Sequence, residues 1–420
     1  MKSRYKHIIL LVVLSFFYAN KTSSQTNNSS PKIKAVTAKD ILGNPNYLAL
    51  CYGGYRTNTR EVQTTIEQIK EDLKIMSAMN IKLIRTYNVH FVEAANLLKA
   101  IKELKKEDSN FEMYVMLGAW IDCKNAWTDK TPDHTIESER NATEIKTAVE
   151  LANQYPDIVK IISVGNEAMV KWAENYYVQP SVILKWVNHL QDLKKKNKLS
   201  KKVWITSSDD FASWGGGDKS YQTKDLEDLI KAVDYVSMHT YPYHNTHYNP
   251  NFWKVPSKEN SLTDIEKVDA GMARAQEFAE TQYNNVKDYV KRISPNKPIH
   301  IGETGWASSS DGLYGNEGSK ASDEYKQGLY YKSMRKWTAK QGISCFFFEA
   351  FDETWKDKAN QNGSENHFGL FTVDGKAKYA LWNQVDAETF KSLKRDGNSI
   401  GKTFSGNEEL LKKTVLIPPN

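Results

Sequence analysis

The chain has 420 residues, 57 Lys and Arg against 51 Asp and Glu for a formal charge of +6, and 11 Trp, 22 Tyr and 15 Phe. That length buries a sizeable core, and so balanced a charge gives no basic field for nucleic acid or acidic lipid, which excludes both as partners. Cys51, Cys123 and Cys345 are widely spaced without a CxxC pair, and nine scattered His show no ligand spacing, so neither a metal nor a cofactor is expected.

Lys2, Arg4 and Lys6 precede an apolar run from Ile8 to Ala19 and the small residues Thr22-Ser23-Ser24, the pattern of a secretory signal over residues 1–24. The run is too short to span a bilayer, so no stable membrane anchor is expected and the mature protein should be secreted, periplasmic or extracellular. Losing Lys2, Arg4, Lys6 and Lys21 lowers the formal charge from +6 to +2 (6 − 4). Residues 25–40 read as a polar leader.

From Leu48 the sequence alternates. An apolar strand, Leu48 to Gly53, is followed by Ile66, Ile69, Leu73 and Met76 at helical spacing. Strand and helix then repeat as Ile81–Tyr87 and Phe91–Lys105, Phe111–Leu117 and Glu137–Tyr155, Ile158–Val164 and Ser181–Lys196. They continue as Val203–Ser207 and Lys224–Lys231, Val233–Met238 and Gly271–Ile293, Pro298–Gly302 and Ser322–Lys340, and an eighth strand, Ile343–Phe348, ends the series. Eight strands, each a continuous apolar run, predict an α/β fold, a (β/α)8 TIM barrel with a single catalytic domain over residues 41–385. A doubly wound sheet lacks support, because Gly53-Gly54-Tyr55-Arg56 does not fit a phosphate-binding turn. Residues 386–420 form a C-terminal extension with a helix expected at Ala387–Arg395, read as closing the barrel bottom or as a partly ordered tail. A Cys51–Cys345 bridge stays open, since first and last strands are neighbours in a barrel.

Two strands end alike. Ile158 to Glu167 runs out in Gly165-Asn166-Glu167, and Ile299 to Trp306 in Gly302-Glu303-Thr304-Gly305. In a parallel barrel both glutamates reach the same C-terminal mouth, where catalytic groups lie. Two facing carboxylates suit hydrolysis of a glycosidic bond, one as proton donor and one as nucleophile. Asp209-Asp210, after the fifth strand, read as substrate contacts. The long segment Tyr241 to Asp269 carries Tyr243, Tyr248, Phe252 and Trp253; with Trp306 these rings are expected to form an exposed wall on which sugar faces stack.

Val164-Gly165-Asn166-Glu167, Glu303-Thr304-Gly305-Trp306 and the run Phe347 to Lys356 resemble glycoside hydrolase family 17, the β-1,3-glucanases and their fungal cell-wall relatives, over roughly Leu48 to Trp382. Ala307, where the family often has Pro, and Cys51-Tyr52-Gly53-Gly54-Tyr55 depart from its pattern. The resemblance implies a retaining enzyme with Glu167 as proton donor and general base and Glu303 as nucleophile. It further implies that Asn166 bonds the hydroxyl beside the anomeric carbon and that Tyr241 holds Glu303 ionised. Arg85 and Tyr87 would line the subsite floor, with Glu353 and Lys356 near the acid/base. The expected substrate is a β-1,3-glucan polysaccharide or oligosaccharide, taken by a monomer; a transglycosylase using the same glutamates and a non-catalytic glucan-binding barrel are the alternatives.

Overall fold

The computed structural model describes residues 36–420. Eight parallel strands close into a barrel: β1 (Leu48–Cys51), β2 (Ile81–Arg85), β3 (Tyr114–Ala119), β4 (Val159–Asn166), β5 (Trp204–Asp210), β6 (Val236–His239), β7 (Ile299–Gly305) and β8 (Cys345–Phe348). Neighbours in sequence are neighbours in the sheet, and β1 closes on β8 through Ala49 opposite Phe346. Buried on both faces, these strands need no alternation, which is why they read as unbroken apolar runs.

The covering helices are α1 (Ile66–Ala78), α2 (Val92–Glu107), α3 (Arg140–Gln154), α4 (Pro180–Lys195), α5 (Lys224–Ala232), α6 (Asp264–Ile293) and α7 (Glu324–Gln341). Their ends are written locally. Thr65 with Gln68 and Thr263 with Glu266 form capping boxes at the starts of α1 and α6, and Gly342, at φ 64°, ends α7 in the left-handed turn. Between β3 and α3 a small hairpin pairs Cys123–Lys124 with Asp133–Glu137 over the barrel mouth. No helix among the described residues is long and apolar enough to cross a membrane.

Three expectations change. Residues 38–40, expected in the polar leader, belong to the fold: Ala38 and Ile41 lie in a one-turn helix and are fully buried. The signal expected over residues 1–24 lies outside the described residues. The helix expected over Ala387–Arg395 is absent; after a short helix, Trp382–Asp386, the chain forms a hairpin of Lys394–Arg395 with Asn398–Ser399. Asp396 and Gly397, at φ 50° and 80°, supply the Asp-Gly turn such a hairpin requires. Nor does the extension close the bottom or hang free. Arg395 pairs with the fully buried Asp72 of α1, Leu416 N–H donates to Asp323 before α7, and Pro419 accepts from Val255 in the loop after β6. Asp323 caps the mouth-side end of α7 and Val255 lies in a mouth-side loop, while Asp72 is midway along α1. Cys51 and Cys345 are both free and buried, so no bridge links β1 to β8.

Candidate active site

The mouth of the barrel gathers charge that the strands below could not hold. Glu303, in β7, is 7% exposed, and its carboxylate is fully engaged. Oε2 accepts from Arg85 at the end of β2 (2.5 Å) and from the Tyr87 hydroxyl (2.9 Å); Oε1 accepts from the Tyr241 hydroxyl after β6 (2.6 Å). Burial raises the carboxyl pKa, but the His239 ring, the Arg85 guanidinium and the two tyrosyl hydroxyls outweigh it and hold Glu303 below the ordinary value. His239 is itself pushed down to about 4 by burial, so at neutral pH it carries no charge, and the lowering of Glu303 rests on Arg85 and the tyrosines. Ahead of Glu303 the strand must be glycine: a Cβ on Gly302 would lie 2.0 Å from Ser237 Oγ and 2.4 Å from Ser208 Oγ.

Glu167 follows β4 with φ 45°, a left-handed conformation uncommon outside glycine, just after Gly165 at φ 82°. Its N–H donates to Ser208 O on β5 (2.9 Å) and Oε1 lies 3.0 Å from His239 Nδ1, so the neighbouring strands fix its aim. Burial, and then the negative charge of Glu303, push its carboxyl up to about 8. Two glutamates in one cavity are thus driven apart in acidity, one kept ionised and one protonated at neutral pH. Carboxylate oxygens of Glu167 and Glu303, together with a His239 nitrogen, lie within 4.8 Å of one another. That trio has the donor types of a metal site, but Arg85 already sits 2.5 Å from Glu303 and opposes a cation there.

Asn166 accepts on Oδ1 from Arg85 (2.5 Å) and lines the cavity beside Glu167, with its amide nitrogen left for a ligand. Glu353 and Lys356 also line it, joined at 3.2 Å, and Lys356 is shared with Glu349 at 2.9 Å. Glu349, 1% exposed, was not anticipated; burial pushes its carboxyl well up and Lys356 opposes that. Its signal was available as a second Glu ending β8, as Glu303 lies in β7.

The aromatic wall is not where the loop sequence put it. Trp253 and Trp306 are both 0% exposed, with indole nitrogens donating to Ser319 O (2.7 Å) and Ala321 O (2.8 Å) and rings packed 5.6 Å apart. They fill the space between the loops after β6 and β7 and offer no face to a ligand. Tyr243 is buried with them and Phe252 stacks on Phe278. Asp209 is likewise buried, its carboxylate accepting from Met169 N–H (2.7 Å), which pins the loop beyond Glu167. The cavity, about 940 Å3, is lined by neither Trp253 nor Trp306 but by the aromatic rings of Tyr55, Trp355, Trp120 and Trp127 together with Glu167 and Glu303.

Residues 49–369 match the family model of the BtgE/BtgC glycoside hydrolase domain. The chain is similar to an endo-laminarinase from Formosa, whose crystal structure superposes with a TM-score of 0.91 at 62% identity, covering 91% of this chain and 98% of that one. A glucan 1,3-β-glucosidase of Arthroderma benhamiae is 26% identical over 279 residues, 63% of this chain and 70% of its own length. A probable glucan endo-1,3-β-glucosidase of Aspergillus terreus is 23% identical over 372 residues, 83% of this chain, which spans only 48% of that longer protein.

Proposed function

The chain belongs to the BtgE/BtgC glycoside hydrolase family, and on that premise we propose that it hydrolyses β-1,3-glucan of the laminarin type by double displacement. The observation that carries the mechanism is the approach of Glu167 and Glu303, with oxygens within 4.8 Å and opposite protonation preferences. Inverting enzymes hold their carboxyls roughly 6.5–9.5 Å apart to admit a water, whereas retaining ones keep them about 5–5.5 Å apart for direct attack.

Glu303, ionised by Arg85, Tyr87 and Tyr241, attacks the anomeric carbon as the bond to the leaving oxygen breaks. Glu167 gives its proton to that oxygen, leaving a glycosyl ester on Glu303 and a carboxylate on Glu167. With Glu303 neutralised, Glu167 takes a proton from water, which attacks the anomeric carbon and releases Glu303. Asn166 faces the sugar, held by Arg85, which is buried beneath it and, against expectation, does not line the cavity floor; Lys356 with Glu353 lies along the cavity wall.

Similarity to an endo-laminarinase over nearly its whole length supports internal cleavage. The basic and apolar residues at the start of the chain support secretion, which suits a polymeric substrate. Incubation with linear β-1,3-glucan and a labelled acceptor sugar, with products separated by size, tests the proposal: short oligosaccharides are expected, and no cleavage of the polymer would refute it.

A further inference from the structure

Two neighbouring tryptophans line the cavity, and one of them is exposed in a way that packing does not explain. Trp127 is 56% exposed, stacked on Tyr176 with ring centres 5.1 Å apart and planes 23° apart. Trp120, half-buried, leans on the same tyrosine at 5.2 Å. The platform is held in place by its backbone. Trp127 adopts φ 61° and Asn125 φ 65°, left-handed conformations that a bulky residue takes only where its surroundings impose them. Here Arg140 pins the turn, donating to Ala126 O (3.2 Å) and Asp122 Oδ2 (2.7 Å), and Cys123 N–H donates to Tyr176 O (3.1 Å). An apolar ring held open to solvent at such a cost is a contact surface.

Its place decides what it contacts. Tyr176 is in the loop that follows Glu167, folded back so that Val178 N–H donates to Ala168 O (2.7 Å), and Trp120 and Trp127 line the same cavity as Glu167. Tyr55 and Trp355 form a separate aromatic pair in the lining, ring centres 5.8 Å apart, where Arg60 covers the Trp355 ring at 4.2 Å. A proton donor faces the leaving oxygen, so the lining beside Glu167 receives the sugars on the leaving side. Resting on the hydrolytic reading above, we infer that Trp120 and Trp127, backed by Tyr176, form the subsite for the leaving-group glucan, which is also the seat of an incoming acceptor sugar once the glycosyl-enzyme has formed.

The test compares wild type with Trp127→Ala and Trp127→Phe on two substrates: laminarihexaose, which fills both sides, and 4-nitrophenyl β-laminaribioside, which puts no sugar on the leaving side. Trp127→Ala is expected to raise KM for the hexaose roughly five- to ten-fold, a stacking contribution of ordinary size. On the nitrophenyl substrate kcat/KM should stay within about two-fold, because uniform binding lost at a remote subsite is lost only by substrates that reach it. Transfer products at high hexaose concentration should fall relative to hydrolysis, and Trp127→Phe should recover most of both effects. Equal losses on the two substrates in a variant that melts like wild type would overturn the inference, as would an unchanged hexaose KM. Failure of the wild-type protein to cut either substrate would instead refute the hydrolytic reading itself.

Discussion

The Tyr241 hydroxyl points its only proton at Glu303, 2.6 Å from Oε1. It is a donor to the ionised form and has nothing to offer the protonated one, so it lowers the pKa of the proposed nucleophile. Tyr241→Phe should therefore raise the Glu303 pKa and move the acidic limb of the kcat/KM profile to higher pH, with kcat down by about ten- to a hundred-fold. A fall in rate with an unmoved acidic limb would show that Tyr241 acts on the sugar and not on Glu303.

The basic limb belongs to Glu167. Its pKa is raised to about 8, so the protonated form needed to expel the leaving oxygen is present below that pH and lost as pH rises through it. kcat/KM on laminari-oligosaccharides should fall across that window. In Glu303→Gln the strongest charge influence is gone, while burial and the Glu365 charge still raise the Glu167 pKa against Arg85, so a carbon-13 NMR titration should find the Glu167 carboxyl titrating lower than in wild type. A value that rose or stood still would mean the two groups are not electrostatically coupled.

Glu167→Gln and Glu303→Gln are each expected to cut turnover of β-1,3-glucan by roughly a thousand-fold or more, since each removes a group that acts in the transition state. With a glycosyl fluoride, which needs little protonation, the Glu167 variant should still form the ester on Glu303 and accumulate it, visible as a mass increase of the protein. Accumulation in the Glu303 variant would reverse the roles. The first product seen by proton NMR should be the β-anomer.

Arg395, in the C-terminal hairpin, and Asp72, on α1, are both 0% exposed and joined at 2.9 Å. Removing Arg395 takes away one of the two guanidinium partners of Asp72 and leaves Arg56 at 2.9 Å, so the cost should fall below the roughly 3 kcal/mol typical of a buried charge stripped of its partner. Arg395→Met should therefore lower the urea midpoint clearly while leaving KM for short substrates unchanged, and Asp72→Asn in the same background should recover part of the loss. A midpoint equal to wild type would show that the extension is dispensable to the fold.

Much of this was legible beforehand because barrel strands carry their own signature. Val159 to Val164 and Ile299 to Ile301 are apolar without alternation, and a Glu closing each such run has few reasons to be there. The Tyr241 contact to Glu303 was reached through a family resemblance, and spacing alone would not have given it; Arg85 and Tyr87 were expected on the subsite floor, and their bonds to Glu303 were not foreseen. The aromatic wall was misplaced for a physical reason. Trp253 and Trp306 can satisfy their indole N–H on backbone carbonyls and so be buried entirely, and nothing in a loop sequence separates that from an exposed ring. Trp127 was passed over because its left-handed backbone, the feature that lifts it into the cleft, is invisible in composition. The Asp396-Gly397 hairpin carried a readable signal, but the apolar residues around Phe390 and Leu393 mimicked a helix.

The left-handed backbone at Glu167 sets activity against endurance at a single position. A non-glycine residue there costs about 1 kcal/mol, and the carboxyl it carries is half-buried beside a like charge. Glu167→Gly would relieve both, and the inactive protein should outlast the working one on heating. β-Branched replacements such as Glu167→Val would instead add to the strain, so a scan of all side chains at this site would rank variants first by backbone tolerance and only then by chemistry. Any stabilised form found by selecting for thermal survival alone should be checked at this residue, where the easiest route to a tougher barrel is one that no longer cuts anything.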